Sequence, residues 1–334
     1  MNYVAPRWLP GGNLQTIWPA LYSRRVAGEP PTYHRERWTT PDHDFIDVDW
    51  RPGPTGAPLI VNFHGLEGSS GSHYAQALAD FSAARGYGFV VPHFRGCSGE
   101  MNLGPRAYHS GDFEEIGWIL NRIRQRHTGA ILAVGVSLGG NALLRWAEEM
   151  GHDAARVVDA IASVSSPVDL SASGEAIGRG FNRWVYTRMF LNSMKPKAME
   201  KLKQHPGLFD GAALTAASDL YEFDNIFTAP LHGFKNTQDY WTRASAKPHL
   251  SQIRIPALVV NALNDPFVPA WSLPQQSEAG QWVTLWQPKE GGHVGFPQGG
   301  PPGNVRWMPG AVGGWLAAQV SAHNASLTET TTHG

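Results

Sequence analysis

The sequence predicts an α/β fold: a mostly parallel central sheet flanked by helices, interrupted by an inserted helical cap. Three observations predict it. Apolar runs of buried-strand length recur at 59–63, 88–92, 130–135 and 160–164. Segments with helical spacing, at 74–85, 112–126 and 138–150, separate them. After 168–255 breaks that rhythm, strand-like runs return at 257–262 and 282–286. Strands buried on both faces read as continuous apolar runs, and parallel neighbours need a long crossover, usually a helix.

Each element follows in order. Residues 1–33, rich in Pro, Gly and Trp, read as an extended arm laid on the body. Segments 36–38 and 45–50 read as strands, and the second alternates apolar and acidic residues, as an exposed antiparallel edge pair does. In 74–85, Tyr74, Leu78 and Phe81 share a face, and Gly86 stands past the last turn. In 112–126, Phe113, Ile116, Leu120 and Ile123 repeat at helical spacing, while the helix over 138–150 ends at Gly151. Pro167 marks a break after the fourth buried strand.

The segment 168–255 reads as mostly helical and aromatic-rich. Phe181, Trp184, Val185, Met189 and Phe190 have the spacing of a helix with a broad apolar face. Trp184, Met189 and Phe190 are the candidate ligand contacts, and the cap is expected to set ligand preference. A terminal helix is expected over 309–323, then a flexible polar tail over 324–334. The chain thus reads as a single domain, 1–334, with its cap at about 168–255.

Composition excludes several function classes. The 334 residues carry 27 Lys and Arg against 28 Asp and Glu, so no global positive field favours nucleic acid or an anionic membrane. A single cysteine, Cys97, excludes an intrachain disulfide and any site built from several cysteines. The first residues lack the apolar run of a signal peptide, and the longest uncharged apolar stretch, 128–144, is interrupted by glycines. The expected location is the cytoplasm, with no stable membrane anchor. No cofactor and no metal are expected, and the sequence is silent on oligomeric state.

Gly135-Val136-Ser137-Leu138-Gly139 matches G-x-S-x-G, with the serine between a buried strand and a helix. That context makes a sharp turn exposing the hydroxyl, and the glycines allow close chain approach. A serine hydroxyl needs a base. His293, in Gly291-Gly292-His293-Val294-Gly295 after the last strand, is the best placed of 14 histidines. Asp265, after the strand at 257–262, is the candidate acid to orient that imidazole, and Asp169 is its rival. The backbone N–H groups of Leu66 and Leu138 are the candidate donors to an oxyanion.

Other groups read as structural: His64 as a packed or turn-bonding residue, His109 with Asp112 as a helix N-cap cluster, Cys97 as a small buried residue, and Glu148-Glu149 as a solvated helix face. The Gly-rich loop at 67–72 lacks the pattern of a phosphate cradle.

Longer strings join the serine motif: Trp8-Leu-Pro-Gly-Gly-Asn-Leu-Gln-Thr16, His64-Gly-Leu-Glu-Gly-Ser-Ser70, His93-Phe-Arg-Gly-Cys-Ser-Gly99, Tyr108-His-Ser-Gly-Asp112, Asn264-Asp-Pro-Phe267 and Gly291-Gly-His-Val-Gly-Phe296. From about residue 5 to about residue 320, the chain resembles the YheT-like branch of the α/β-hydrolases, related to eukaryotic ABHD lipases and yeast medium-chain ester synthases. The resemblance implies a Ser/Asp/His esterase and falls on Ser137, Asp265 and His293. Relatives of this kind act on acyl esters, acylglycerols or phospholipids, and some transfer the acyl group to an alcohol. Asn13 stands where many of them carry His.

The expected partner is a small-molecule acyl ester of short to medium chain. Three readings stay open: ester hydrolysis, acyl transfer to an alcohol by the same triad, and a non-catalytic binding protein of the same fold.

Overall fold

Eight strands form one sheet: β1 (His34–Thr39), β2 (Phe45–Arg51), β3 (Leu59–Phe63), β4 (Gly88–Pro92), β5 (Ile131–Val136), β6 (Ala160–Val164), β7 (Ala257–Val260) and β8 (Val283–Trp286). Their order across the sheet is β1-β2-β4-β3-β5-β6-β7-β8. β1 and β2 run antiparallel, and β2 pairs antiparallel with β4. From β4 to β8 every neighbouring pair is parallel. The computed structural model describes residues 2–331, with side chains through Ser321.

The pleat sorts side chains between two cores. Val61, Ile131, Ala133, Ile161 and Val259 face one layer, covered by α3 (Phe113–Arg126) and α4 (Leu138–Met150). Ile60, Leu132, Val134, Ala162 and Leu258 face the other, covered by α2 (His73–Ala84) and by Met308, Val312 and Leu316 of the C-terminal helix Trp307–Thr331. Full burial of such side chains is worth about 1.5–3 kcal/mol each, which is why the parallel strands read as unbroken apolar runs.

Three expectations need correction. The N-terminal segment is not wholly extended, because α1 (Gly12–Leu21) is a helix with Pro19 inside it. Its buried Gln15 and Thr16 anchor it to distant loops, and those contacts outweigh the helix-breaking composition. Second, β1 and β2 form the expected antiparallel pair at the sheet edge, but β2 is buried. β2 lies inside the sheet, and Asp47 and Asp49 are each only 2% exposed, held by two-pronged contacts from Arg37 and Arg35 on β1. Third, Glu148 is buried at 3% exposure against Arg145, while Glu149 faces water.

Between β6 and β7 the chain is helical, as expected. The helices include Leu170–Ile177, Arg188–Gln204 and Thr237–Ala244, with π-helical segments at Arg183–Thr187 and Asp224–Thr228. The terminal helix continues past His323, to Thr331. The side chains of the expected tail, and residues 332–334 altogether, lie outside the described residues.

Candidate active site

Parallel strands bring their C-terminal ends to one edge, where loops collect. Ser137 sits where β5 turns into α4, with φ 53° and ψ −121°. That backbone is strained for a non-glycine residue and is held from both sides. A β-carbon at Gly135 would lie 2.4 Å from Gly140 Cα, and one at Gly139 would lie 2.4 Å from His64 O. Only glycine lets these chains approach. Ser137 N–H donates to Val164 O at 2.8 Å, so it is already engaged.

His293 Nε2 lies 3.0 Å from Ser137 Oγ, and His293 Nδ1 lies 2.9 Å from Asp265 Oδ2. A carboxylate only accepts, so the Nδ1 proton faces Asp265 and the Nε2 lone pair faces the serine hydroxyl. The other carboxylate oxygen of Asp265 accepts the N–H groups of Phe267 at 2.8 Å and Val268 at 3.3 Å. The Phe267 ring covers the imidazole, with centroids 4.1 Å apart. Asp169 instead caps helix Leu170–Ile177, accepting from Ala172 N.

The loop under His293 is pinned by side chains from elsewhere. Gly291 N–H donates to Gln15 Oε1 at 2.9 Å, Gly292 N–H to Asn264 Oδ1 at 3.0 Å, His293 N–H to Thr16 Oγ1 at 2.8 Å, and Val294 N–H to Ser165 Oγ at 3.0 Å. Sequence reasoning missed Gln15, Thr16 and Ser165. Gln15 and Thr16 belong to the string at residues 8–16, but nothing in that string names its partner loop. Asn13 accepts from Tyr186 of the cap at 2.8 Å, a tethering contact.

Leu66 and Leu138 line the same cavity as Ser137 and His293. Leu138 opens α4, where a helix leaves its N–H groups without intrahelical partners and presents its positive end. Gly65 carries the other loop past the serine: a β-carbon there would lie 3.1 Å from Ser137 Cβ.

The cavity is about 180 Å³ and runs under the cap between apolar walls that include Leu170, Ile177, Phe190, Leu220, Phe223 and Phe227. Of the three candidate substrate contacts, Phe190 lines it. Trp184 and Met189 face outward, 68% and 53% exposed, and Arg188 lies over the Trp184 ring.

Three of the structural readings have matching surroundings: His64, the cluster of His109 with Asp112, and Cys97. His64 is fully buried, with Nε2 accepting from Phe94 N, and burial together with nearby His93 pushes its imidazole down to about 3. It is therefore neutral at ordinary pH. Asp112 caps α3, and His109 Nδ1 accepts from Gly111 N. Burial pushes the Cys97 thiol up to about 12, which suppresses the reactive thiolate. Among the described residues, no three His, Cys, Asp or Glu side chains group to hold a metal ion, and no helix is long and apolar enough to cross a membrane.

The profile of the alpha/beta hydrolase fold matches residues 58–300. The chain is 37% identical to YheT of Escherichia coli (strain K12) over 327 residues, covering 96% of this chain and 94% of that one. It is 30% identical to the phospholipase ABHD3 of Mus musculus over 298 residues, 85% of this chain and 71% of the other. Among solved structures, Est1E from Butyrivibrio proteoclasticus, seen with ferulic acid bound, superposes with a TM-score of 0.56 at 15% identity, over 87% of this chain and all of that one, and shows the fold. With the identity spread over nearly the whole chain, and not only over the serine turn, the protein belongs to the YheT-like branch of the α/β-hydrolase family and is an esterase- or lipase-like hydrolase.

Proposed function

We propose that the protein is a serine carboxylic-ester hydrolase for small-molecule esters of short- to medium-chain acids, acting in the cytoplasm as a single domain with an inserted cap. The observation that carries this reading is the unbroken chain of contacts from Asp265 through His293 to Ser137, at the wall of an apolar cavity.

Ser137 Oγ attacks the ester carbonyl carbon as its proton passes to His293 Nε2, and Asp265 stabilises the imidazolium. The carbonyl oxygen takes the negative charge and accepts from the Leu66 and Leu138 N–H groups. The C–O bond to the alcohol breaks, and the alcohol leaves with the proton from His293. Water then gives a proton to His293 and its oxygen to the acyl carbon. The second tetrahedral intermediate collapses to the carboxylic acid, and Ser137 regains its proton.

Chain-length preference follows from the cavity walls. Each acyl methylene buried there gains up to about 0.8 kcal/mol, so two raise catalytic efficiency by up to about 15-fold. A p-nitrophenyl ester series from acetate to palmitate tests this. Turnover rising to a medium-chain maximum and then falling is expected, whereas no turnover on any member contradicts the reading. Adding a small alcohol to the assay separates hydrolysis, which yields acid alone, from acyl transfer, which yields a new ester.

A further inference from the structure

Glu67 follows directly on Leu66 and holds φ 58°, a left-handed conformation that a non-glycine residue keeps only with support. Its backbone N–H donates to Tyr108 Oη at 3.0 Å, and that same hydroxyl donates to Glu67 Oε1 at 2.8 Å. Tyr108 itself lies flat on Phe94, with ring centroids 5.3 Å apart. The other carboxylate oxygen, Oε2, points to the cap helix Arg188–Gln204. There it meets Lys197 Nζ at 2.8 Å and accepts from Ser193 Oγ, one helical turn apart on the same face. On the other side of Leu66, Gly65 N–H is fixed by Tyr74 Oη at 2.8 Å.

Leu66 is thus held between two tyrosine hydroxyls, and one of these anchors works through a carboxylate that the cap grips. We propose that Glu67 is a positioning residue that makes the oxyanion site conditional on the cap being seated. With Lys197 and Ser193 engaged, the charge of Glu67 is paired and its loop keeps the Leu66 N–H aimed beside Ser137. With the cap helix lifted, the carboxylate loses both contacts and the strained turn relaxes. The inference rests on the serine-hydrolase reading above.

The test compares Glu67→Gln, Lys197→Met and the double variant with wild type, using p-nitrophenyl butyrate and two inhibitors. A trifluoromethyl ketone accepts Ser137 Oγ at its carbonyl carbon and becomes an anionic tetrahedral adduct, while the proton moves to His293. The methyl ketone of the same chain binds without that charge. Glu67→Gln is expected to lower kcat by about 10- to 100-fold with KM within about twofold, short of the full loss of an oxyanion donor. It should weaken the trifluoromethyl ketone by about tenfold or more and leave the methyl ketone unchanged. Lys197→Met should move the same quantities less, and the double variant should be no worse than Glu67→Gln alone, because Lys197 acts through Glu67.

Unchanged kcat, equal weakening of both ketones, or multiplicative effects in the double variant each overturn the inference. The Lys197 side chain is 36% exposed, so Lys197→Met carries the test alone should Glu67→Gln not fold. A wild type inactive on the ester and blind to the ketone contradicts the serine-hydrolase reading and this inference with it. An active wild type matched by its variants contradicts this inference alone.

Discussion

The loop that carries His293 and the cap helix above it border one cavity, yet they are held by different means. In the loop, four consecutive backbone N–H groups, from Gly291 to Val294, each meet a side-chain oxygen from a distant segment. The cap, over residues 183–204, meets the body through polar side-chain tips, Tyr186 on Asn13, Lys197 on Glu67, and Lys201 on the carbonyls of Asn102 and Gly104, and through the rings of Tyr186 and Phe190 on Phe267. Its outer side leaves Trp184 in solvent. Backbone groups tied one by one fix an imidazole to within a hydrogen-bond length. Among the described residues, the cap is held instead by contacts from its side chains, polar and apolar, and not by its backbone N–H groups. On the serine-hydrolase reading, chemistry sits on this locked loop and substrate choice on the cap.

If that division holds, changes in the locked region cost rate and changes in the cap redirect preference. The largest effect is expected for Ser137→Ala, which should lower kcat on p-nitrophenyl butyrate by about 10⁶-fold, as loss of the nucleophile does in a serine protease. Asp265→Asn should cost about 10⁴-fold, because the imidazole loses its oriented tautomer, while Asp169→Asn should change kcat little. The reverse ranking would move the acid to Asp169.

Thr16→Val sharpens the comparison. It keeps the shape but removes the acceptor of the His293 N–H, leaving a part-buried donor unpaired at about 1–3 kcal/mol. A fall in kcat of about tenfold is expected, with an unchanged chain-length profile. Phe190→Ala should do the opposite, moving the preferred p-nitrophenyl ester to longer chains while turnover of the acetate stays within about threefold. Identical profiles for Phe190→Ala and wild type would break the division between the two regions.

The smallest effect concerns stability. Burial raises the Asp224 carboxyl to about 6, against hydrogen bonds from Thr228 and Trp241 that lower it. The folded state therefore holds this proton more tightly than the unfolded chain, where aspartate titrates at its ordinary value of 3.8. Its contribution to stability is fully present below pH 3.8 and declines as pH rises through about 6. Asp224→Asn should flatten that decline in a series of Tm measurements from pH 4 to pH 7. An unchanged slope would place the proton elsewhere.

Much of the locked region was legible in the sequence. Buried parallel strands announce themselves as apolar runs, and Ser137, Asp265 and His293 stand where such runs end. Their supports were not legible, because Thr16 and Gln15 meet the His293 loop across some 276 residues and no local pattern encodes that contact. The cap misled more. Phe181, Trp184, Met189 and Phe190 show helical spacing, but spacing does not say which face looks inward. Six residues apart, Trp184 and Phe190 stand about 120° apart around a helix, and Phe190 faces the cavity while Trp184 faces the solvent. The acidic alternation of β2 misled for a related reason. Asp47 and Asp49 look like a wet edge until Arg35 and Arg37 on the neighbouring strand cover them.

The claim on which the rest depends is that Ser137 is the nucleophile, activated by His293. Incubation with a fluorophosphonate, followed by mass mapping of the labelled peptide, tests it most directly. The account predicts one phosphonyl adduct on Ser137, formed by wild type, slowed severely by substitution of His293, and absent from Ser137→Ala. An adduct on any other residue, or full labelling of Ser137→Ala, would contradict it.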